Sequence, residues 1–330
     1  MSKKFNGGKL PAKPQPARSG SISADCESGE LGRQIGARTL GPVSDLERHL
    51  PSDWWRTLFN SLYLETDGDV IENDRNTSEE VDLLIRTVGL ERNDRILDLC
   101  CGQGRHSLEF ARRGFPHVIG LDRSRYLIRL ARKRAKQGDL LVSFHEGDAR
   151  RFRLREGEFH CVCLLGNSFG YFERPEDDLA VLEAVKRALA SGGALVMDLM
   201  DGEWMRCNFD PRSWEWIDQN HFVCRERDLA EDGDRLISRE VVVHAERGVI
   251  ADQFYAERRG IHKCPISSLV GSRFGTKPGS RDGGAPAVYD MRGAPAHATA
   301  ATSRCTFFRC NDCSGRSTPP RFGQAQWALE

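Results

Sequence analysis

The chain has 330 residues with 48 basic and 48 acidic side chains, so its formal net charge is zero. It lacks the excess basic charge typical of a nucleic-acid binder, and no apolar run approaches the roughly 20 residues that a membrane helix needs, so we expect neither partner. The 11 cysteines are odd in number and scattered, which indicates a reduced, cytoplasmic protein.

The N-terminal part of the chain divides into two segments. Residues 1–44 are rich in Ser, Gly and Pro, and this composition predicts a disordered tail. Residues 45–92 are predicted to form a helical N-terminal cap. Thr77, with Glu80 three residues later, predicts the start of one helix. Another is predicted from apolar side chains at helical spacing, namely Trp54, Trp55, Leu58, Phe59, Leu62 and Tyr63.

Between residues 93 and 200, short apolar runs alternate with helical patterns. The strand candidates are residues 95–99, 117–122, 140–148, 158–166 and 194–200, and the clearest helices are residues 105–113, 124–137 and 175–190. Strands that alternate with helices form parallel sheets with right-handed crossovers. This region therefore predicts an α/β core, a Rossmann-like, mostly parallel sheet with helices on both faces.

The rest of the chain has a different rhythm. Residues 201–260 carry longer strand-like runs around a Glu-Asp-Gly-Asp turn, which predicts an antiparallel excursion after the fifth strand, on the substrate side of the sheet. Residues 261–330 are rich in Gly, Pro, Ser and Arg without periodicity. We expect a disordered or non-native tail there, so the C-terminal strands of the sheet could be missing.

Acidic residues end three successive predicted strands. Asp98 ends the first and is followed by Gly102 and Gly104, which allow a tight turn and a close approach of the backbone to a ligand. Asp122 ends the second strand, where a carboxylate can accept the hydroxyls of a ribose, and Asp148 ends the third, near an adenine edge. Together they predict a nucleoside site.

Four stretches resemble the class I S-adenosylmethionine-dependent methyltransferases over roughly residues 50–260. They are "LDLCCGQG", "VIGLDRS", "EGDARRF" and "CVCLLGNSFGYF". The likeness is closest to the small-molecule type, and it implies S-adenosyl-L-methionine as cofactor and a small-molecule methyl acceptor as partner. It implies a transferase that moves the methyl group by in-line displacement.

The resemblance also implies the cofactor-binding residues. Asp98, Gly102 and Gly104 would surround the methionine, Asp122 would bind the ribose, Asp148 and Ala149 would flank the adenine, and Asn167 would lie near the sulfonium. Cys100 and Arg123 are also predicted to bind the cofactor. Cys100 departs from the family, which more often has its first glycine there, but cysteine is small and we expect the loop to persist.

Three different functions stay open beside this one. A nicotinamide dinucleotide site of a dehydrogenase is disfavoured, because His106-Ser107-Leu108 replaces the small residue of that fingerprint and Asp98 would repel a pyrophosphate. A non-catalytic or truncated cofactor-binding protein of the same fold is the second, and a nucleic-acid methyltransferase is the third.

No catalytic residue is assigned. Candidate general bases are Tyr171, Glu203, His221 and His244. Trp214 and Trp216 are interpreted as packing of the excursion on the sheet or, alternatively, as a wall of the acceptor pocket. His106 is interpreted as a surface or capping residue, or as a contact to the cofactor carboxylate.

A metal site is not expected. Cys310 and Cys313 have the spacing of a zinc pair, with Cys305 and either His297 or Cys264 as further ligands. The surrounding composition is not that of a folded zinc ribbon, and a second closely spaced pair is missing from the sequence.

Overall fold

The computed structural model describes residues 40–200, 202–233, 235–258, 288–290 and 303–309. Within them the helices are α1 (Ser61–Thr66), α2 (Gly68–Ile71), α3 (Asp74–Val88), α4 (Arg105–Arg112), α5 (Arg125–Gln137), α6 (Pro175–Ala188) and α7 (Gly202–Asn208), with short 3-10 turns at Glu47–His49 and Trp54–Arg56. The strands are β1 (Ile96–Leu99), β2 (Val118–Asp122), β3 (Val142–Glu146), β4 (Phe159–Leu164), β5 (Leu189–Met200), β6 (Arg212–Trp216), β7 (His221–Leu229), β8 (Arg235–His244), β9 (Gly248–Arg258), β10 (Val288–Asp290) and β11 (Ser303–Arg309).

The larger sheet has the strand order β10-β11-β5-β4-β1-β2-β3. Strands β3, β2, β1, β4 and β5 are parallel, while β11 pairs antiparallel with β5 and β10 with β11. From β1 the chain adds β2 and then β3 on one side of the sheet, and it then crosses back to place β4 on the other side of β1. Such a reversal opens a crevice at the carboxyl ends of the strands, where ligands bind in this class of sheet.

Alternate residues of the parallel strands are buried on opposite faces of the sheet. On one face Leu97, Leu99 and Leu164 pack with Val181 and Leu182 of α6. On the other face, the packed side chains come from β1, β4, α3 and α4, among them Ile96, Cys161, Val81, Leu84 and Phe110. The predicted Rossmann-like sheet with helices on both faces is confirmed.

The second sheet is an antiparallel meander in the order β6-β7-β8-β9. Its buried apolar residues, including Ile237 and Ala256, pack with Trp54 and Leu46 of the N-terminal segment. The antiparallel sheet predicted after the fifth strand is therefore present.

The predicted tail needs a correction. Strands β10 and β11 lie inside residues 261–330, where no strand was expected, and β11 pairs with β5 over Ser303–Arg309. The seven-residue β11 contains Thr306, Phe307 and Phe308, which favour strands, but the run is too short to stand out among Gly and Pro. The remaining residues of that segment, and residues 1–39, lie outside the described part of the chain.

Two boundaries of the N-terminal segment differ from prediction. Helix α3 begins after Asn73, whose side chain accepts a hydrogen bond from the Asn76 backbone N at 3.0 Å, rather than at Thr77. The apolar stretch before it is not one helix, because Asn60 interrupts it and caps α1 by accepting from the Leu62 backbone N at 2.8 Å. Local side-chain caps therefore override the apolar periodicity.

Candidate functional site

The loop after β1 turns through left-handed backbone conformations. Cys100, Gly102 and Gly104 have φ angles of 61°, 55° and 80°. Cysteine rarely adopts such an angle, whereas glycine adopts it readily, so the backbone at Cys100 has a conformation that suits glycine better. Burial and the nearby carboxylates raise the pKa of the Cys100 thiol well above its usual value, so the thiol is protonated and uncharged at neutral pH.

Gly104 is required by packing rather than by a ligand. A Cβ atom added there would lie 2.7 Å from Cζ of Phe144 and 3.1 Å from Cβ of Ala131. The glycine therefore allows the start of α4 to pack closely against β3 and α5.

Asp98 lies beneath the loop and is only 1% exposed. Its Oδ2 accepts hydrogen bonds from the Ser107 backbone N at 3.1 Å and from Ser107 Oγ at 2.6 Å. Burial raises the pKa of the Asp98 carboxyl. The side chain thus anchors the first turn of α4, whose unpaired N–H groups need such an acceptor.

Asp122 ends β2 and faces the open space above the loop. Its Oδ2 accepts from the Gly102 backbone N at 2.8 Å, and its Oδ1 accepts from the Ser124 backbone N at 2.7 Å. Burial raises the pKa of this carboxyl to about 6, although the backbone hydrogen bonds oppose the shift. Two of about four acceptor sites of the carboxylate remain for a ligand.

Asp148 is held by an arginine two residues later. Arg150 donates to Oδ1 from Nε at 3.0 Å and to Oδ2 from Nη2 at 2.7 Å, and its Nη1 contacts Asp177 at 3.0 Å. Burial raises the pKa of Asp148, but the bonds and charge of Arg150 outweigh it and hold the pKa below its usual value. This carboxylate is therefore ionised and largely occupied by Arg150.

A cavity of about 870 Å³, including its open mouth, lies at the carboxyl ends of the strands. Six of the predicted site residues line it, namely Cys100, Gly102, Asp122, Arg123, Asp148 and Ala149. Asp98, Gly104 and Asn167 do not belong to its lining; the first two lie behind it as described above.

Asn167 sits in the turn after β4. It has a φ angle of 55°, and its backbone N donates to the Asp198 carbonyl O at 3.1 Å, while the Gly166 backbone N donates to Asp198 Oδ2 at 3.2 Å. The flanking residues Gly166 and Ser168 line the cavity. The Asn167 amide instead donates to Glu257 Oε2 of the second sheet at 3.4 Å.

The sequence missed an aromatic wall supplied by the N-terminal segment. Trp55, Phe59 and Tyr63 line the cavity together with Tyr171 and Phe172 from the loop after β4. The three N-terminal rings were predicted as part of a helical cap without a role in the site, and Tyr171 was predicted only as a candidate general base.

Two hydrogen bonds attach that segment to the loops after β1 and β2. Ser124 Oγ donates to the Phe59 carbonyl O at 2.8 Å, and Gln103 Nε2 donates to the Ile71 carbonyl O at 2.9 Å. Both hydrogen bonds join residues that are far apart in the sequence, so sequence patterns could not predict them. The run of aromatic residues was the only sequence feature that pointed to this wall.

The remaining candidates fall into different places. Tyr171 lines the cavity, whereas the rings of His221 and His244 meet edge to face, with their centroids 4.6 Å apart, at one end of the second sheet. The side chain of Glu203 lies outside the described residues. Trp214 and Trp216 are 67% and 64% exposed and do not belong to the cavity lining. Both interpretations of that pair are therefore wrong: β6 is an edge strand, and its tryptophans point to solvent.

His106 is neither a surface residue nor a lining residue. It is 5% exposed, and its Nε2 lies 2.7 Å from Glu80 Oε2, which Arg105 also contacts. The suggested zinc ligands His297, Cys264, Cys310 and Cys313 lie outside the described residues, as does the side chain of Cys305. Within the described part, no cluster of three metal-ligating side chains occurs, and no helix is long and apolar enough to cross a membrane.

The donor set suits an adenosine group. Asp122 offers acceptors for ribose hydroxyls, and the small Ala149 and the apolar Leu127 line the same cavity. A Cβ added to Gly102 would have nothing closer than 3.9 Å, so the backbone there is open to a ligand. A pyrophosphate in this cavity would be repelled by the negatively charged carboxylates of Asp122 and Asp148.

Comparison with known proteins agrees with this geometry. Residues 96–193 match a family model described as a methyltransferase domain. The chain is 33% identical over 119 residues to cypemycin N-terminal methyltransferase of a Streptomyces species, which covers 36% of this chain and 47% of that protein. It is 34% identical over 112 residues to 2-phytyl-1,4-naphtoquinone methyltransferase of Synechococcus elongatus, covering 32% and 46% respectively. The chain thus spans less than half the length of these curated relatives.

Solved structures share the fold. An S-adenosylmethionine-dependent methyltransferase from Clostridium acetobutylicum superposes with a TM-score of 0.59 at 14% identity, covering 76% of this chain and 97% of that one. An amino pentose methyltransferase from Micromonospora echinaspora, solved with S-adenosylmethionine bound, gives 0.53 at 22% identity, covering 76% and 98% respectively. Residues 96–193 thus form a methyltransferase domain, and the chain shares the fold of S-adenosylmethionine-dependent methyltransferases.

Proposed function

We propose that this protein transfers a methyl group from S-adenosylmethionine to a small-molecule acceptor. The observation that carries the proposal is Asp122. Its carboxylate is fixed by the backbone N–H groups of Gly102 and Ser124, and it lines the cavity with acceptor sites to spare. A ribose diol is the group that this arrangement binds best.

The cofactor would lie across the ends of four parallel strands. In this placement Ala149 and Leu127 flank the adenine, Asp122 holds the ribose, and the backbone from Cys100 to Gly102 surrounds the methionine. When bound, S-adenosylmethionine supplies an activated methyl group on a positively charged sulfur.

The protein's own contribution is position and shelter. The rings of Phe59, Tyr63 and Tyr171 form a wall on the same cavity, which keeps water away and favours a cationic group over their faces. Holding two reactants in line can lower a barrier by roughly 7–11 kcal/mol at best. Because the methyl donor is already activated, correct positioning of the acceptor supplies most of the catalysis that the reaction needs.

A small acceptor is supported by two considerations. The cavity is walled by Trp55, Phe59 and Phe172 from two loops, so it suits a compact ligand better than a duplex. Two of the compared proteins are named for methylating an amino pentose and a quinone. The cytoplasmic location stays a prediction from cysteine content.

Titration calorimetry on the full chain tests the cofactor class. We expect S-adenosylmethionine and S-adenosylhomocysteine to bind and NAD not to bind. Release of S-adenosylhomocysteine in the presence of a metabolite panel then separates an enzyme from a silent binder. Binding of NAD without binding of S-adenosylhomocysteine would contradict the proposal.

A further inference from the structure

Two consecutive tryptophans of the N-terminal segment contact different parts of the molecule. Trp54 and Trp55 lie in the 3-10 turn Trp54–Arg56. Trp54 is 4% exposed and packs with Ile237 and Ala256 of the second sheet. Trp55 is half-buried and lines the cavity at the carboxyl ends of the parallel strands. Because Trp54 is fixed in a hydrophobic core, its neighbour is held at the cavity before any ligand binds.

The ring of Trp55 contacts the loops after β2 and β3, which carry the two cavity carboxylates. The guanidinium of Arg123, which follows Asp122, lies 5.7 Å from the centroid of the Trp55 ring, and that of Arg150 lies 5.6 Å from it. Arg150 is held in turn by its hydrogen bonds to Asp148. A guanidinium within about 6 Å of an aromatic centroid is attracted to the ring. Trp55 therefore lies at the same end of the cavity as Asp122 and Asp148.

A third loop meets the same ring. Phe172, after β4, packs edge-on against Trp55 with the ring centroids 5.4 Å apart, and the Arg150 guanidinium lies 4.5 Å from the centroid of Phe172. Trp55 and Phe172 line the cavity together with Ala149, which follows Asp148. A base stacks well on an aromatic ring, because every base has a π face of its own. This end of the cavity therefore offers a nucleoside both carboxylates and a ring on which its base can stack.

We propose that Trp55 is a cofactor-binding residue, whose ring covers the adenosine half of S-adenosylmethionine and holds it against the loops after β2 and β3. This inference rests on the proposed function, because it adds a residue to the same cofactor site. Arg123 and Arg150 keep the ring in position from the side of the parallel sheet, and Trp54 does so from the side of the second sheet. The N-terminal segment thereby takes part in binding the cofactor itself.

Titration calorimetry of the full-length Trp55→Ala variant with two ligands tests this assignment. The ligands are S-adenosylhomocysteine and 5′-methylthioadenosine, which share the adenosine group, whereas only the first carries the amino acid. Loss of the ring should weaken both ligands by the same factor, about 5- to 150-fold, the range for one base stacked on an aromatic side chain. Trp55→Phe keeps an aromatic face and should retain most of the affinity. Trp214→Ala removes an exposed tryptophan outside the cavity lining and is the matched control, which should bind like the wild type.

A change in folding would imitate a loss of affinity, so a second measurement uses Trp55→Phe, the variant that still binds. The chain has six tryptophans, and a base stacked on an indole ring changes the fluorescence of that ring. We expect most of the emission change that S-adenosylhomocysteine causes in the wild type to be lost in Trp55→Phe and kept in Trp214→Phe. An equal change in the wild type and in Trp55→Phe, or no change in either, would overturn the inference.

The outcomes also separate this inference from the proposed function. If the wild type binds neither S-adenosylmethionine nor S-adenosylhomocysteine, the proposed function fails. If the wild type binds both and Trp55→Ala binds them equally well, only the inference is wrong. If Trp55→Ala weakens S-adenosylhomocysteine but not 5′-methylthioadenosine, the ring contacts the amino-acid half of the cofactor, and the assignment to adenosine is wrong.

Discussion

Replacing Asp122 by asparagine should make the free protein more stable and the cofactor complex weaker. In the folded protein the pKa of this carboxyl is raised from 3.8 to about 6, chiefly by burial. A raised pKa means that the folded state binds the proton more tightly than the unfolded chain. The free energy of unfolding therefore falls as the pH rises from about 4 to about 6.

The size of this effect follows from the same values. Each pH unit of difference corresponds to about 1.4 kcal/mol, so the ionised carboxylate destabilises the folded protein by up to about 3 kcal/mol at pH 7.5. Asparagine removes that charge but can accept from only one of the Gly102 and Ser124 N–H groups with its oxygen. Losing the other hydrogen bond costs about 1 kcal/mol. The net gain is about 1–2 kcal/mol at pH 7.5, and it should turn into a loss of about 1 kcal/mol below pH 4.

Urea unfolding at pH 4 and 7.5 measures the stability, and calorimetry measures S-adenosylhomocysteine affinity. We expect the Asp122→Asn variant to bind that ligand roughly 10- to 100-fold more weakly, since charged hydrogen bonds contribute about 1.5–3 kcal/mol. Asp139→Asn is the control, because Asp139 is exposed and its φ angle of 51° suits asparagine. If the variant is less stable than the wild type by the same amount at both pH values, burial of the ionised Asp122 does not destabilise the folded protein. Unchanged affinity would remove Asp122 from the site.

Two further substitutions test the loop. Ser107→Ala removes the hydroxyl that donates to buried Asp98 at 2.6 Å and should lower the free energy of unfolding by about 1.5–3 kcal/mol; a loss under about 0.5 kcal/mol, the lower end for a typical hydrogen bond, would show that Asp98 does not depend on it. Gly104→Ala places a methyl group 2.7 Å from Phe144 at a φ of 80° and should cost roughly 2–5 kcal/mol, strain and overpacking together. Gly157→Ala, with open space at a φ of 69°, should cost only about 1–2 kcal/mol, and equal losses in urea unfolding would contradict the packing role of Gly104.

The sequence located the ends of the strands but not the direction of every side chain. Asp98, Asp122 and Asp148 each follow an apolar run, and parallel strands bring their carboxyl ends to one edge. Of the three, Asp122 and Asp148 line the cavity, whereas Asp98 turns to the face covered by α4 and bonds Ser107. Strand residues alternate between faces, and a shift of one residue at a strand end changes which face a side chain meets.

The aromatic wall could not be predicted for a different reason. Phe59 and Tyr63 reach the cavity only because the N-terminal segment packs on the loops after β1 and β2, through contacts such as Ser124 to Phe59 across 65 positions. Helical spacing predicts that these rings are buried, but it does not identify the part of the protein that they pack against. Trp214 and Trp216 show the converse, since an aromatic pair in sequence is exposed on an edge strand.

Two carboxylates near the ends of the parallel strands, Asp122 and Asp198, hold loops with unusual backbone angles. Cys100 and Asn167 both adopt left-handed backbone angles, a strain of order 1–3 kcal/mol for a residue such as cysteine. The loop after β1 is held by Asp122 of the adjacent β2, which accepts from the Gly102 N–H, and the turn after β4 by Asp198 of the adjacent β5, which accepts from the Gly166 N–H. A carboxylate can accept a backbone N–H and still offer acceptor sites to a ligand, which no apolar side chain and few neutral ones can do. In this chain two strained loops at the ends of parallel strands are each held by an acid on the neighbouring strand. In the proposed site, Asp122 would hold its loop and bind the ribose at the same time.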